Sequence, residues 1–217
     1  MVGALDISIP TVFNTAGMQV RTRRQPRERT RADLLETARR VFEERGFHAA
    51  SLDEIAEAAG YSKGAIYSNF HGKDELFLAV LTEHVERRIR ALVAVPLDGK
   101  DFEAGVRAVA RSGAQFGRRD PQWTPLLVEF WIHVSPRDDL RRAVLDMHEH
   151  QLDALAELVA ELGRRHGKTW RIPPREVVRG TGAMGRGLAL ERLLDPDTSY
   201  AETYEELFVA ATLGVAE

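Results

Sequence analysis

The chain has no cysteine among its 217 residues, which excludes a disulfide framework, a thiolate metal site and a cysteine nucleophile, and leaves its redox compartment unreadable. No apolar run approaches the roughly 20 residues that cross a bilayer, and the first twenty residues lack the basic start of a signal peptide. A cytoplasmic protein without a membrane partner is expected. Histidines are few and poorly spaced for metal: His148 and His150 lie two apart and would diverge on a helix, His133 stands alone, and no H-x-x-x-H pair accompanies them. There is also no G-x-S-x-G elbow, no H-E-x-x-H and no strand-preceded glycine loop with P-loop spacing. Neither catalysis, nor a metal, nor a cofactor is predicted. Strand patterns and internal repeats are missing too.

With 44% hydrophobic and 29% charged residues, the composition is that of an ordinary globule of one large or two modest domains. From Thr30 onward the pattern is helical nearly throughout, interrupted where glycine and proline fall, and the expected fold is all-α with about nine helices. The first runs from about Arg31 to Arg45, with Leu34, Leu35, Ala38, Val41 and Phe42 on one face and Gly46–Phe47 closing it. A long fourth helix spans about Asp74 to Val93, and Phe102 to Phe116 mark a fifth. Asp120-Pro121 and Ser135-Pro136 open a sixth and a seventh, the latter reaching about Arg165. Pro173-Pro174 starts an eighth, and Ser199 with Glu202 forms a capping box for the ninth.

Between the first and fourth helices lies the most informative stretch, SLDEIAEAAGYSKGAIYSNF, residues 51–70. Ser51 with Glu54 reads as a capping box, Leu52, Ile55, Ala56 and Ala59 supply one apolar face, and Gly60 allows the chain to reverse. Ser62 then caps a second short helix whose start, Lys63, Gly64 and Ala65, is small enough for close approach to a groove. Tyr67, Ser68 and Asn69 offer hydrogen bonds, Ile66 and Phe70 face inward, and Lys73 stands where a cation could grip a phosphate. Two helices over a tight turn are the layout of a DNA-reading helix-turn-helix. The net charge of −3 conceals a local basic run: Arg21, Arg23, Arg24, Arg27, Arg29 and Arg31 against Glu28. That run reads as a flexible arm over residues 1–29, suited either to a groove or phosphates or to solvent alone. Met18 is a plausible alternative start.

The joint pattern S-x-x-E-I-A, A-G, S-x-G-x-x-Y-x-x-F and K-x-x-L resembles the signature of the TetR family of transcriptional regulators. Tyr61 departs from it, since the family more often carries a small apolar residue in the turn. The resemblance implies a DNA-binding domain over residues 30–77 and a regulatory and dimerisation domain over 78–217. It makes Arg29, Ser51, Tyr61, Ser62, Lys63, Gly64, Ala65, Tyr67, Ser68, Asn69 and Lys73 the candidate contacts to a double-stranded operator. It also implies a homodimer, with Gly180, Ala183, Gly187, Leu188, Leu194, Tyr204, Leu207, Phe208 and Ala211 as the candidate interface. The crowd of glycines from Gly180 to Gly187 fits such close helix packing, because each costs roughly 1 kcal/mol of helix propensity.

An effector site is implied among the fifth to eighth helices. Its candidates are Phe102, Phe116, Trp123, Leu127, Phe130, Trp131, Met147, Gln151 and Met184, a lining for an apolar or aromatic molecule, although the same residues could serve as core. Glu129, within LLVEFWI, would attract a cation if it faced that site. The expected function is a ligand-responsive repressor that binds a palindromic operator as a dimer and is released by a small molecule. A second reading is a helical dimer acting through protein partners, with its helix-turn-helix retained as structure.

Overall fold

The computed structural model describes residues 24–96, 101–196 and 200–217, with side chains from Arg27 onward. Among them are nine helices: α1 (Arg24–Ala49), α2 (Leu52–Ala58), α3 (Lys63–Asn69), α4 (Lys73–Val93), α5 (Phe102–Arg119), α6 (Trp123–Val134), α7 (Asp138–Arg165), α8 (Pro174–Glu191) and α9 (Tyr200–Leu213). The described residues contain no strand, only a single antiparallel bridge between Trp170 and Ala216. The all-α expectation holds.

Helix α1 begins about two turns earlier than its apolar spacing suggested. Arg24 to Arg29, assigned to a flexible arm, are its first turns; Arg21, Arg23 and the proposed start at Met18 lie outside the described residues. The extension has a reason in α3. Arg27 and Arg31 donate to the carbonyls of Ser68 and Asn69 at 3.1 and 3.0 Å, and Arg31 also lies 4.3 Å above the Phe70 ring. Those carbonyls are the unpaired end of a short helix, so α1 supplies the partners that α3 lacks.

Other boundaries shift for local reasons. Pro121 and Pro136 sit in turns ahead of α6 and α7, which begin at Trp123 and Asp138; in α7 the paired acids Asp138 and Asp139 favour the positive end of the helix. Helix α8 has its proline at the first position, as read from Pro173-Pro174. Ser199, the expected cap of α9, lies outside the described residues.

The interior divides in two. One core gathers Leu34, Phe42, Phe47, Ile55, Ile66, Phe70 and Phe77 from α1–α4 together with Trp123, Leu126 and Phe130 of α6, and Val144 and Ala154 of α7. The other joins α5 and α9 through Val106, Val109, Tyr204 and Phe208, with Leu158 and Leu162 of α7 beneath. Helix α4 enters both, by Leu76 to Ile89 in the first and Leu92 in the second. Close approach in the second core requires glycine: a Cβ at Gly105 would meet Leu162 at 2.6 Å, and one at Gly185 would meet the Tyr204 ring at 2.8 Å. Outside it, Arg107 and Arg111 of α5 pair with Glu205 of α9.

Candidate nucleic-acid interface and regulatory cavity

The turn between α2 and α3 is built by hydrogen bonds that follow from the sequence. The Ser51 hydroxyl accepts from Glu54 N at 3.3 Å, and Ser62 accepts from Ala65 N at 3.2 Å. Only half of the Ser51 capping box closes, because the Glu54 carboxylate pairs with Arg45 of α1. Gly60 takes a φ of 74°, its N–H donates to Glu57 O and Tyr61 N donates to Ala56 O, the paired bonds of a Schellman termination. Tyr61, the departure from the family pattern, donates its hydroxyl to Asp33 at 2.7 Å and so ties the turn to α1.

Helix α3 has one face sunk and one bare. Ile66 and Phe70 are fully buried, while Ser62, Lys63, Gly64, Tyr67 and Ser68 are exposed; Ala65 and Asn69 lie at the margin. Several polar groups there are already engaged. Ser68 and Asn69 both donate to Ala65 O at 2.8 Å, and Lys63 donates to Asp53 at 2.6 Å, which raises the pKa of its ammonium group. Lys73 points inward: its ammonium donates to His48 O and Ala50 O at 3.0 Å each and lies 4.7 Å from the Phe47 ring centre. That geometry makes it a clamp on the end of α1. Tyr67, 53% exposed, carries the largest bare side chain of the helix, and Arg29 is exposed on α1.

Glu129 is the residue whose role the sequence left open, and it does not face a ligand site. At Gly46 (φ 79°) α1 breaks, and the two Glu129 oxygens accept from the freed N–H groups of Phe47 at 3.0 Å and His48 at 2.8 Å. A Cβ at position 46 would stand 2.9 Å from that carboxylate, so glycine is required by φ and by space. A second polar link runs beside it, where Asp74 at the head of α4 binds His133 and Arg137 at 2.9 and 2.7 Å. His133 is thus a structural partner, and no three metal-ligating side chains cluster among the described residues.

The expected effector lining is not brought together. Phe130 and Trp123 pack on Phe77, with Leu127, Trp131 and Met147 half-buried against the same core; Phe116 faces His84, Phe102 faces Trp170, and Met184 packs on the second core. The aromatic spacing marked an interior. A cavity of about 50 Å³ lies instead between α4, α5, α7, α8 and α9, and of the nine candidates only Gln151 lines it. Leu152, Val159, Val178 and Phe208 supply apolar lining, and Arg88 and Arg186 line it too. Burial, and next the Arg88 guanidinium, hold the Arg186 pKa below its usual value. Sequence reasoning missed these arginines because their helical spacing looks the same as that of solvated ones.

Of the expected interface residues, Gly180, Ala183, Gly187, Leu194, Leu207 and Ala211 are exposed on the chain described, and Leu188 is half-buried. Tyr204 and Phe208 turn the other way, 5% and 7% exposed in the chain's own core. A Cβ at Gly180 or Gly187 would meet nothing within 4 Å, so packing within the chain does not call for glycine there.

A capped helix pair with one bare face, joined by a single long helix to a body with its own cavity, defines a helix-turn-helix DNA-binding regulator. The tetR family model of bacterial regulatory proteins matches residues 34–80, and the model of the BetI-type transcriptional repressor C-terminal region matches residues 102–214, more than half of the chain. The chain belongs to the TetR family of transcriptional regulators. It is 27% identical over 194 residues to the HTH-type transcriptional regulator BetI of Brucella canis, covering 84% of this chain and 91% of that one. To the HTH-type transcriptional activator FasR of Mycolicibacterium smegmatis it is 39% identical over 114 residues, spanning about half of each chain (52% and 52%). A TetR transcription regulator from Haloarcula marismortui shares the fold at a TM-score of 0.72 and 17% identity, over 88% of this chain and 100% of that one. These relatives are regulators, not enzymes. No helix among the described residues is long and apolar enough to cross a membrane.

Proposed function

We propose that the protein is a dimeric repressor, acting in the cytoplasm, that holds a palindromic operator through α3 and is released by a small molecule bound in the cavity of its helical body. The observation that carries this reading is α4. It starts at Lys73, beside α3, and its last turns put Arg88 and Leu92 into the cavity wall, so one helix of about 30 Å joins the two places. An effector with higher affinity for one tilt of α4 shifts the spacing of paired α3 helices, which a dimer must set near 34 Å to enter successive major grooves.

In this reading residues 30–77 form the DNA-binding unit and residues from 78 onward the regulatory one. The bare glycines of α8 and the exposed Leu207 and Ala211 of α9 meet their copies in the dimer. Relatives differ in sign, since FasR is an activator by name while the model matched over residues 102–214 is that of a repressor's C-terminal region; a match over the regulatory body favours repression.

The test is a mobility-shift titration with the DNA flanking the protein's own gene. Expected is a specific, salt-dependent complex that Tyr67→Ala weakens about tenfold and in which Lys63→Ala lowers the salt slope by about 1. Lys73→Ala is expected to lower stability more than salt slope, as befits a clamp. Unchanged binding by the Tyr67 and Lys63 variants together overturns the assignment of α3, and absence of any specific complex favours a dimer that acts through protein partners.

A further inference from the structure

The cavity wall holds a buried hydrogen-bond donor without an acceptor, and a second lies just behind it. Arg88 Nε, in the lining, is buried and unpartnered; so is Trp131 Nε1, which lies outside the lining on the ring 5.2 Å beneath the guanidinium of Arg186, itself a lining residue. No hydrogen bond or ion pair links Arg88 or Arg186 to a carboxylate among the described residues. The neighbouring carboxylates are engaged elsewhere. Glu149 binds Arg175 and, at 3.6 Å, Arg179; Asp153 binds Arg175 at 2.7 Å, and Glu176 binds Arg179 at 3.3 Å. Two half-buried cations therefore line one cavity, near enough for Arg88 to lower the Arg186 pKa, with no carboxylate paired to either. Such a wall is costly when it stands alone and favours an anion.

We propose that this cavity takes the carboxylate of a small organic acid on Arg88 and Arg186, with the acid's apolar body against Leu152, Val159, Val178 and Phe208. The guanidinium fork matches a carboxylate in two parallel hydrogen bonds, which a hydroxyl or an amine cannot form. At about 50 Å³ the cavity admits several water-sized groups in a row, enough for a carboxylate and a few carbons. Arg186 is pre-positioned by the Trp131 face, and the lowered pKa of its guanidinium agrees with a charge that burial penalises. The inference rests on the reading of the protein as a ligand-released regulator and replaces the neutral aromatic effector expected from the sequence with an acidic one. A cation would meet like charge on both guanidinium groups.

The full-length protein is titrated calorimetrically with butanoate, hexanoate and octanoate, and with the alcohol and amine of each length. At least one acid is expected to bind tenfold or more tightly than its alcohol, with no binding by the amines. Arg88→Met and Arg186→Met are each expected to reduce acid affinity about tenfold or more, and Arg186→Lys, which keeps the charge but loses the fork, several-fold. The melting temperature without acid should stay level or rise in the methionine variants, which separates lost recognition from lost folding. Alcohols that bind as well as the acids, or full acid affinity in a folded Arg88→Met/Arg186→Met double variant, overturn the anion site. The operator complex is read in parallel: an acid that binds without loosening it keeps the anion site and overturns release, whereas release by a neutral apolar compound alone keeps release and overturns the anion site.

Discussion

Helix α4 runs through two interiors of opposite character. Around Phe77 it is held by aromatic rings on every side, with centroids at 4.4 Å to Phe130, 5.0 Å to Phe42 and 5.2 Å to Phe47, and Phe130 and Phe77 are fully buried. Eleven positions further along, Arg88 faces a cavity with its Nε unmatched. The first environment resists change, because a close-packed aromatic layer loses contact energy with any displacement. The second has free volume and unsatisfied polar groups, and is where a small shift costs least. In the proposed reading, a signal entering at the soft end moves a stiff lever whose head lies at the turn after α3.

The contrast predicts unequal responses to substitution. Phe130→Ala, at the stiff end, should cost about 3–5 kcal/mol in chemical denaturation and leave the protein poorly folded, whereas a cut of equal size in the cavity wall should cost far less. A smaller cost there than about 2 kcal/mol would mean that the aromatic layer yields.

Acid should act on the border between the two regions. His84 of α4 is 3% exposed and stacked on Trp123 at 3.7 Å, and its Nδ1 stands 3.9 Å from Asp120, too far for a hydrogen bond. Burial first, then Arg87, Arg88 and Arg39, push its pKa down to about 2. The unfolded chain takes up a proton near pH 6.5 and the folded one does not, so stability is lost as pH falls below that value. Between pH 6.5 and 5 the His84 share of the loss should be about 2 kcal/mol and absent from a His84→Phe variant, while His148, whose pKa burial also lowers, keeps its own share. Carboxylates held by partners, such as Glu36 and Glu149, have lowered values and add their own loss only below their usual range near 4.5.

Glu129→Ala should cost roughly 1–2 kcal/mol and speed hydrogen exchange at the Phe47 and His48 amides selectively, since those two donors lose their acceptor. The smallest effect separates two glycines of α8. Gly185→Ala collides with Tyr204 and should destabilise, while Gly187→Ala should add about 1 kcal/mol of helix propensity to the single chain and weaken self-association measured by sedimentation. If Gly187→Ala leaves self-association unchanged, the bare face of α8 is not the interface.

The sequence displayed the helix-turn-helix almost completely because every device in it is local. Two serine caps, one glycine with positive φ and an i, i+4 apolar pair each act within a few residues. The cavity was illegible for the opposite reason. Whether Arg88 or Arg186 is paired depends on carboxylates from other helices, and an apolar stripe such as Trp123, Leu126, Leu127 and Phe130 has the spacing of a buried face whichever surface buries it. Glu129 shows the limit plainly, with its partner 82 positions away. Arg27 and Arg31 read only as part of a basic run, for DNA or for solvent, because the carbonyls they satisfy belong to a helix that the linear pattern places far downstream.

The Glu129 carboxylate at the broken end of α1 also bears on modularity. A fragment cut at residue 77 would keep the whole helix-turn-helix and yet lose the acceptor for two backbone amides, along with the Phe130 ring that covers Phe47 and Phe77. Chimeras that graft this DNA-binding segment onto a foreign body should therefore carry α6 with it, or supply a carboxylate and an aromatic ring at the same seam. What looks in the sequence like a detachable head is jointed to its body by the Glu129 carboxylate, the Phe130 ring and the Asp74 links to His133 and Arg137, and its stability travels only in that company.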